Sequence, residues 1–289
     1  MAYPSIYHIG FPKTGSTSLQ ALLKEDPRIQ MLYKPGYFIS DRYYTHSYPA
    51  LDPDKPAIQS NEAIMRQYFK GWGSGYQTVL ERIREKRPDA RIVLFLREQS
   101  EILLSEYKFH ILTGYDHYKM GTYLNTPAGK FFREIIAYDR ILRELLSIFP
   151  REQVHVYLNE EMKADATAFL ERFSRELFGM PPPNIPLKQE NKGIPASEVR
   201  MKRAINRVKI FRNRPLIDRL DGVLIDGFFK ALRPFASKEG KGKAFLKECP
   251  YFERIMEEYA KSNARTLELM ELPLAEHGYR VSHGEKAPG

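Results

Sequence analysis

Short apolar runs alternate along this chain with longer segments in which apolar residues recur every three to four positions. Ser5–Gly10 reads as a short buried strand, and Ser16–Lys24 as the helix that follows, with Leu19, Leu22 and Leu23 on one face. Ala57–Glu62 is a second strand candidate. Val79–Arg87 carries a helical pattern ended by Pro88. Arg91–Leu96, "RIVLFL", is the clearest strand: a continuous β-rich apolar run, as expected where helices cover both faces of a sheet. Gln99–Leu112 reads as helix. Phe131–Ile148 reads as one helix, with Ile135, Ile136, Leu142, Leu145 and Leu146 spaced for one side. Val154–Leu158 is another buried strand, and Asp165 can cap the next helix, which stops at Gly179. Strands that alternate with helices of this length predict an α/β fold, a parallel central sheet flanked by helices with right-handed crossovers.

Met180–Pro195 is a loop by composition. Beyond it the pattern is helical and basic. Met201, Ala204, Ile205, Val208 and Phe211 form an apolar stripe, with Arg200, Lys202, Arg203, Arg207 and Lys209 around it. No internal repeat or low-complexity tract interrupts the chain. The reading is one domain over residues 1–289, with an α/β core over 1–180 and a loop and helical cover over 181–289.

Composition narrows the class. The lone cysteine, Cys249, excludes an internal disulfide and argues for a reducing compartment. The first residues, "MAYPSIYHIG", lack the basic and apolar regions of a signal peptide, and no stretch approaches the roughly 18 apolar residues of a membrane span. A cytoplasmic protein is expected. The net charge is +9, and Lys188–Lys247 holds 16 Lys/Arg against 6 Asp/Glu. Such a face attracts anions, although it is equally what a solvated basic surface looks like.

Candidate chemistry begins at "YHIGFPKTGSTSLQALL", Tyr7–Leu23. Gly10 and Gly15 stand at the interval of a phosphate-binding loop, but Ser16 and not lysine follows, and Lys13 lies inside the loop. A strand, a Gly-bounded loop and a helix start make an anion trap, because backbone N–H groups and the positive helix end converge there. Ser16, Thr17 and Ser18 add hydroxyls, and Lys13 adds a full charge from within the loop. A nucleoside triphosphatase or kinase needs its lysine on the transferred phosphate and an acid for Mg²⁺. The strand "RIVLFL" is followed by Arg97, and Glu160 after "VHVYL" is the remaining acid for that rival.

"FPKTGSTSLQ" closely resembles the 5′-phosphosulfate loop of the sulfotransferases that use 3′-phosphoadenosine 5′-phosphosulfate (PAPS). "LREQSEILLSEY", Leu96–Tyr107, resembles that family's 3′-phosphate motif, in which an arginine ends a strand and a serine lies eight residues on in the next helix; Arg97 and Ser105 match. Gln99 stands where the motif usually has proline, and Ile102 where a second arginine is common. "NKGIP", Asn191–Pro195, resembles the loop that closes over the nucleotide in heparan-type members, with Lys192 and Gly193 as the matching pair. The resemblance implies a P-loop-like sulfotransferase fold with a helical C-terminal region and PAPS as sulfuryl donor without a metal. It implies a nucleotide site made by Lys13, Thr14, Gly15, Ser16, Thr17, Ser18, Arg97, Ser105, Lys192 and Gly193, with Lys13 also assisting departure of the phosphate.

The acceptor side is less marked. Members of the family take their base from a Lys-Glu pair after the first helix or from a glutamate on the next strand. The first place reads "YKPGYF", with Lys34 kept and Pro35 where the glutamate would be; the second, "AIQSNEAIM", offers Glu62. Asp41 and His46 remain alternatives. The implied acceptor is a hydroxyl of a carbohydrate or a lipid-linked group, with peripheral contact to an anionic membrane and no nucleic acid as partner. Two other readings stay open on the residues alone: a kinase or nucleoside triphosphatase on the same loop, and a non-catalytic basic module that binds anionic membrane or RNA.

Overall fold

The computed structural model describes residues 5–33, 52, 54–61, 64, 75–185, 194–210 and 242–282. In chain order these form β1 (Ser5–His8), α1 (Ser16–Glu25), β2 (Gln30–Tyr33), β3 (Ala57–Ser60), α2 (Gly75–Lys86), β4 (Arg91–Leu96), α3 (Gln99–Leu112), α4 (Met120–Tyr123), α5 (Pro127–Ile135), α6 (Tyr138–Ile148), β5 (Val154–Leu158), α7 (Asn159–Ala164), α8 (Ala166–Phe178), α9 (Ala196–Ile210) and α10 (Phe252–Met270). The five strands make one parallel sheet in the order β2-β3-β1-β4-β5. This is the expected α/β architecture. The chain leaves β1 toward β2 on one side and leaves β4 toward β5 on the other, so the connections diverge between β1 and β4. In an open parallel sheet that switch point is where a crevice forms at the carboxyl ends of the strands.

The residues group into two compact units. The first comprises residues 1–99, 134–191 and 257–289 and holds the sheet. One sheet face carries Ile6, Ile58, Val93, Phe95 and Tyr157, packed with Leu19, Leu22 and Leu23 of α1 and with Phe169, Phe173 and Leu177 of α8. Ile92, Leu94 and Leu96, which alternate with them, are buried as well. Burial on both faces is why "RIVLFL" has no polar alternation. Helix α8 starts where the sequence indicates: Asp165 accepts from the backbone N–H of Thr167 and Ala168, each at 3.0 Å, and Gly179 ends it in the left-handed region at φ 67°.

The second unit comprises residues 100–133 and 192–256. Its core gathers Tyr107, Tyr123 and Phe245, with ring centroids 5.5–5.6 Å apart across Tyr107. Among the described side chains of α9, Ala196, Val199 and Asn206 are buried and Ala204 is exposed, while Val208 and Phe211 of the apolar stripe lie outside the described side chains. Asn206 donates to the carbonyls of Ile111 and Asp116, both at 2.7 Å, and Arg203 pairs with Glu248 at 2.6 Å while donating to the Tyr107 hydroxyl. The inward face is held by directed polar contacts that an apolar-periodicity reading does not register. Burial pushes the Tyr107 hydroxyl up to about 12 against the opposing pull of Arg203.

Two further differences concern the elements themselves. Strand β2 has no counterpart in the sequence reading. The segment read as one helix over Phe131–Ile148 is two, α5 and α6, broken at Ile136 and Ala137. The break lies next to the passage of the chain from the second unit into the first. It starts α6 at Tyr138, a wholly buried tyrosine, and sets Asp139 facing α10, where its carboxylate accepts from the Ser262 hydroxyl and the Arg265 guanidinium, both at 2.5 Å.

Replacing Asp139 by alanine removes an acceptor from the buried Ser262 hydroxyl. Loss of about 1–3 kcal/mol is expected in urea denaturation, and a change below about 0.5 kcal/mol, the scatter of a neutral surface substitution, would show that the carboxylate is dispensable.

Candidate active site

The loop between β1 and α1 is built on two left-handed residues. Lys13 has φ 69° and Gly15 φ 81°. Lysine is not a residue that visits this region freely; it costs about 1–2 kcal/mol there. Thr14 between them is fully buried, and its hydroxyl donates to the Phe11 carbonyl at 2.9 Å, closing the turn. Gly15 is the N-cap of α1 and, lacking a side chain, makes no capping hydrogen bond of its own. The first-turn N–H groups have no intrahelical partner by geometry, and a left-handed residue before a helix start makes the concave run of N–H groups that suits an anion.

Arg97, directly after β4, reaches this loop. Its Nη1 donates to the Lys13 carbonyl at 2.9 Å. The arginine backbone is fixed in turn by Tyr138, whose hydroxyl donates to the Arg97 carbonyl at 2.5 Å and accepts from the Arg97 N–H at 3.3 Å. Burial pushes that hydroxyl well above its ordinary value, so it stays a neutral donor. Glu160 holds the next peptide: one carboxylate oxygen accepts from the Glu98 N–H at 3.2 Å, the other from the Tyr279 hydroxyl at 2.8 Å. The acid that could have served a metal-dependent rival is thus engaged on both oxygens in bracing the turn after β4.

Two residues of the site carry no signal in the sequence reading. His8, at the end of β1, bonds the Ser60 hydroxyl of β3 through Nδ1 at 2.7 Å, and Gln20 of α1 donates to the same hydroxyl at 2.8 Å. A Cβ on Gly10 would lie 2.2 Å from His8 Nε2, so Gly10 lets the imidazole lie across the loop entrance. His8, Ser16, Gln20 and Ser60 are the polar lining of a small, otherwise apolar cavity. Asn159, the first residue of α7, lies against the other glycine: a Cβ on Gly15 would fall 2.2 Å from Asn159 Nδ2. Nothing in "VHVYLN" marks that asparagine, because the approach is tertiary.

The expected loop residues therefore differ in surroundings. Ser16 is buried and lines the cavity, Ser18 is half-buried, Thr17 is exposed, and Lys13 is half-buried. Arg97 joins them in the first unit; Ser105 lies half-buried in α3, in the second. Glu62, Asp41, His46, Lys192 and Gly193 lie outside the described residues. Among the described residues no group of three or more His, Cys, Asp or Glu side chains is arranged to hold a metal ion, and no helix is long and apolar enough to cross a membrane.

Comparison with solved structures agrees with the fold. The sulfotransferase from Alicyclobacillus acidocaldarius superposes with a TM-score of 0.53 over 76% of this chain and 100% of its own, at 16% identity. The chain shares the fold of that enzyme, a parallel five-stranded sheet flanked by helices. The sulfotransferase STF1 from Mycobacterium tuberculosis H37Rv aligns over 71% of each chain at 12% identity with a TM-score of 0.38. No protein-family model matches the sequence, and no curated protein is significantly similar to it.

The two glycine caps give a graded test. Gly179 is also left-handed but has nothing within 4 Å of a would-be Cβ. Gly179→Ala should cost about 1–2 kcal/mol, the backbone term alone, and Gly15→Ala clearly more, because Asn159 must also move. Equal losses for the two in urea denaturation would remove the contact with Asn159 from the description of the loop.

Proposed function

We propose that the protein transfers a sulfuryl group from PAPS to an acceptor hydroxyl, of a carbohydrate or a lipid-linked group. The observation that carries this reading is the hydrogen bond from Arg97 to the Lys13 carbonyl. It joins the loop after β1 to the end of β4 at the sheet's switch point, and so unites the two sequence stretches that resemble the 5′-phosphosulfate and 3′-phosphate motifs. The fold shared with a known sulfotransferase supports it.

The donor fits this loop: the left-handed pair Lys13 and Gly15 and the start of α1 provide converging N–H groups for a multiply charged anion. In the reaction the bond between sulfur and the phosphate oxygen breaks, a bond from the acceptor oxygen to sulfur forms, and the acceptor proton passes to a base. Negative charge grows on the departing phosphate, where Lys13 gives its help within the loop. Arg97 and Ser105 are assigned to the 3′-phosphate, and Lys192 and Gly193 to covering the nucleotide. Glu62 is assigned the acceptor proton ahead of Asp41 and His46, on the resemblance stated for "AIQSNEAIM".

Calorimetric titration with adenosine 3′,5′-bisphosphate, with ATP and Mg²⁺ as the control, tests the reading. Tighter binding of the bisphosphate without metal is expected; preference for ATP–Mg²⁺ would instead favour a kinase or nucleoside triphosphatase. Lys13→Met and Glu62→Gln should both keep most of the bisphosphate affinity while kcat for transfer to the acceptor falls, for Glu62→Gln by about 10²–10⁴-fold. A Lys13→Met enzyme with weakened binding and intact turnover would reduce that lysine to a docking charge. Undiminished turnover in Glu62→Gln would pass the base to Asp41 or His46.

A further inference from the structure

Gln99, the first residue of α3, and Asn263, in α10, are both fully buried, and their amides are paired with each other. Gln99 Nε2 donates to Asn263 Oδ1 at 2.7 Å. Asn263 Nδ2 donates back to Gln99 Oε1 at 3.1 Å and also to the Arg280 carbonyl at 2.9 Å. The partners are 164 residues apart in sequence and lie in the first unit. Two matched amides in a core offer little stability over two apolar side chains of the same shape. What they add is direction: a reciprocal pair fixes both side chains in distance and in angle, which an apolar contact does not. Gln99 stands two residues after Arg97, so the pair completes a set of ties on three successive residues. Tyr138 holds the Arg97 N–H and carbonyl, Glu160 holds the Glu98 N–H, and Asn263 holds the Gln99 side chain. The same C-terminal segment supplies Tyr279, which holds Glu160. It is pinned in turn, by the Ser282 N–H to the Ala260 carbonyl at 3.0 Å and by Ser262 and Arg265 to Asp139 of α6.

We propose that Asn263 is a positioning residue for the nucleotide site: through Gln99 it sets the turn that carries Arg97, and with it the preference for a 3′-phosphorylated nucleotide. The proposal rests on the PAPS reading above, in which Arg97 takes the 3′-phosphate. An arginine–phosphate contact is directional and often bidentate, so it depends on where the guanidinium starts from. Arg97 already gives Nη1 to the Lys13 carbonyl. It has to serve the loop and the phosphate from one orientation, and a turn free to shift would give up one of the two.

The test uses the full chain, with adenosine 3′,5′-bisphosphate and adenosine 5′-phosphate as probes in calorimetry. The two differ only in the 3′-phosphate. Asn263→Leu and Gln99→Met each leave one buried amide unmatched and should lower the melting temperature. Each should also reduce the preference for the bisphosphate about 3- to 30-fold, the range for residues that act on a site without touching its ligand, with little change for adenosine 5′-phosphate. The double variant separates position from stability. It leaves neither amide unmatched, so it should melt above both single variants. It should nevertheless keep the reduced preference, because no directed contact has returned, and it decides the matter should a single variant fail to fold. Gly179→Ala, where a Cβ meets nothing within 4 Å, loses stability without touching the turn and should keep the wild-type preference. A double variant that recovers the preference together with its stability would make the pair a structural contact only and overturn the proposal. Single variants that discriminate like the wild type, or a Gly179→Ala protein whose preference falls as theirs does, would overturn it too. A wild type that binds the two nucleotides equally overturns the PAPS reading and this inference with it.

Discussion

The site depends on one hydrogen bond, from the Arg97 guanidinium to the Lys13 carbonyl. Lys13 is a β-carbon residue in the left-handed region, and its loop would relax toward an ordinary turn if nothing opposed the strain of about 1–2 kcal/mol. A hydrogen bond from a charged donor contributes about 1.5–3 kcal/mol, enough to offset it. The partner comes from 84 residues away in sequence, which is possible because β1 and β4 are parallel neighbours whose connections diverge. The arginine can hold the loop only because its own backbone is clamped by Tyr138, and because Glu160 and Tyr279 fix the peptide that follows. Loop, strand end and helix start are one assembly.

How far this could be read from the sequence varies with the type of force involved. Strand β4 is legible to the residue because burial on both faces demands an unbroken apolar run, and α8 because a side-chain cap and a left-handed glycine mark its ends. Strand β2 is an edge strand of four residues, Gln30–Tyr33, whose three consecutive apolar residues show neither the alternation of a half-buried strand nor the length of a buried run. The break between α5 and α6 is invisible in an apolar pattern that continues through it; it answers to the passage between units and to the placing of Tyr138 and Asp139. The loop itself stands out in the sequence because its glycines, lysine and hydroxyl residues follow one another along the chain between a strand and a helix. Asn159 and His8 do not, since each meets its glycine only after the sheet has formed.

Charge shows the same limit. A net charge of +9 suggests an anionic partner, but the count does not say which cations are available. Arg28 holds the Asp26 carboxyl below the usual carboxylate range through a 2.7 Å contact. Arg91 donates to the carbonyls of Glu176 and Leu177 in the last turn of α8, where a helix end favours a cation. Arg172 pairs with Glu161, and Arg203, from the basic stretch itself, is paired with Glu248 inside the second unit. The basic excess is therefore weaker support for an anion site than the backbone of a single loop is.

The loop is also preorganised. Its conformation is already fixed by protein groups: Thr14 by the Phe11 carbonyl, Lys13 by Arg97, and Gly10 and Gly15 by the side chains that lie over them. A cradle of this kind would not have to be ordered by the ligand, so little of the binding energy of a nucleotide is lost in arranging it. What remains can be applied to charge that appears only as a bond breaks, which is where binding energy raises kcat and not merely affinity. In a P-loop enzyme the lysine opens the helix after the loop. Here that position belongs to Ser16, which is buried and lines the small cavity, and the lysine stands three residues earlier on strained backbone. The cation is thereby fixed at the neck of the loop by its own main chain, and moving it along the chain would require dismantling the contact with Arg97 that holds the rest in place.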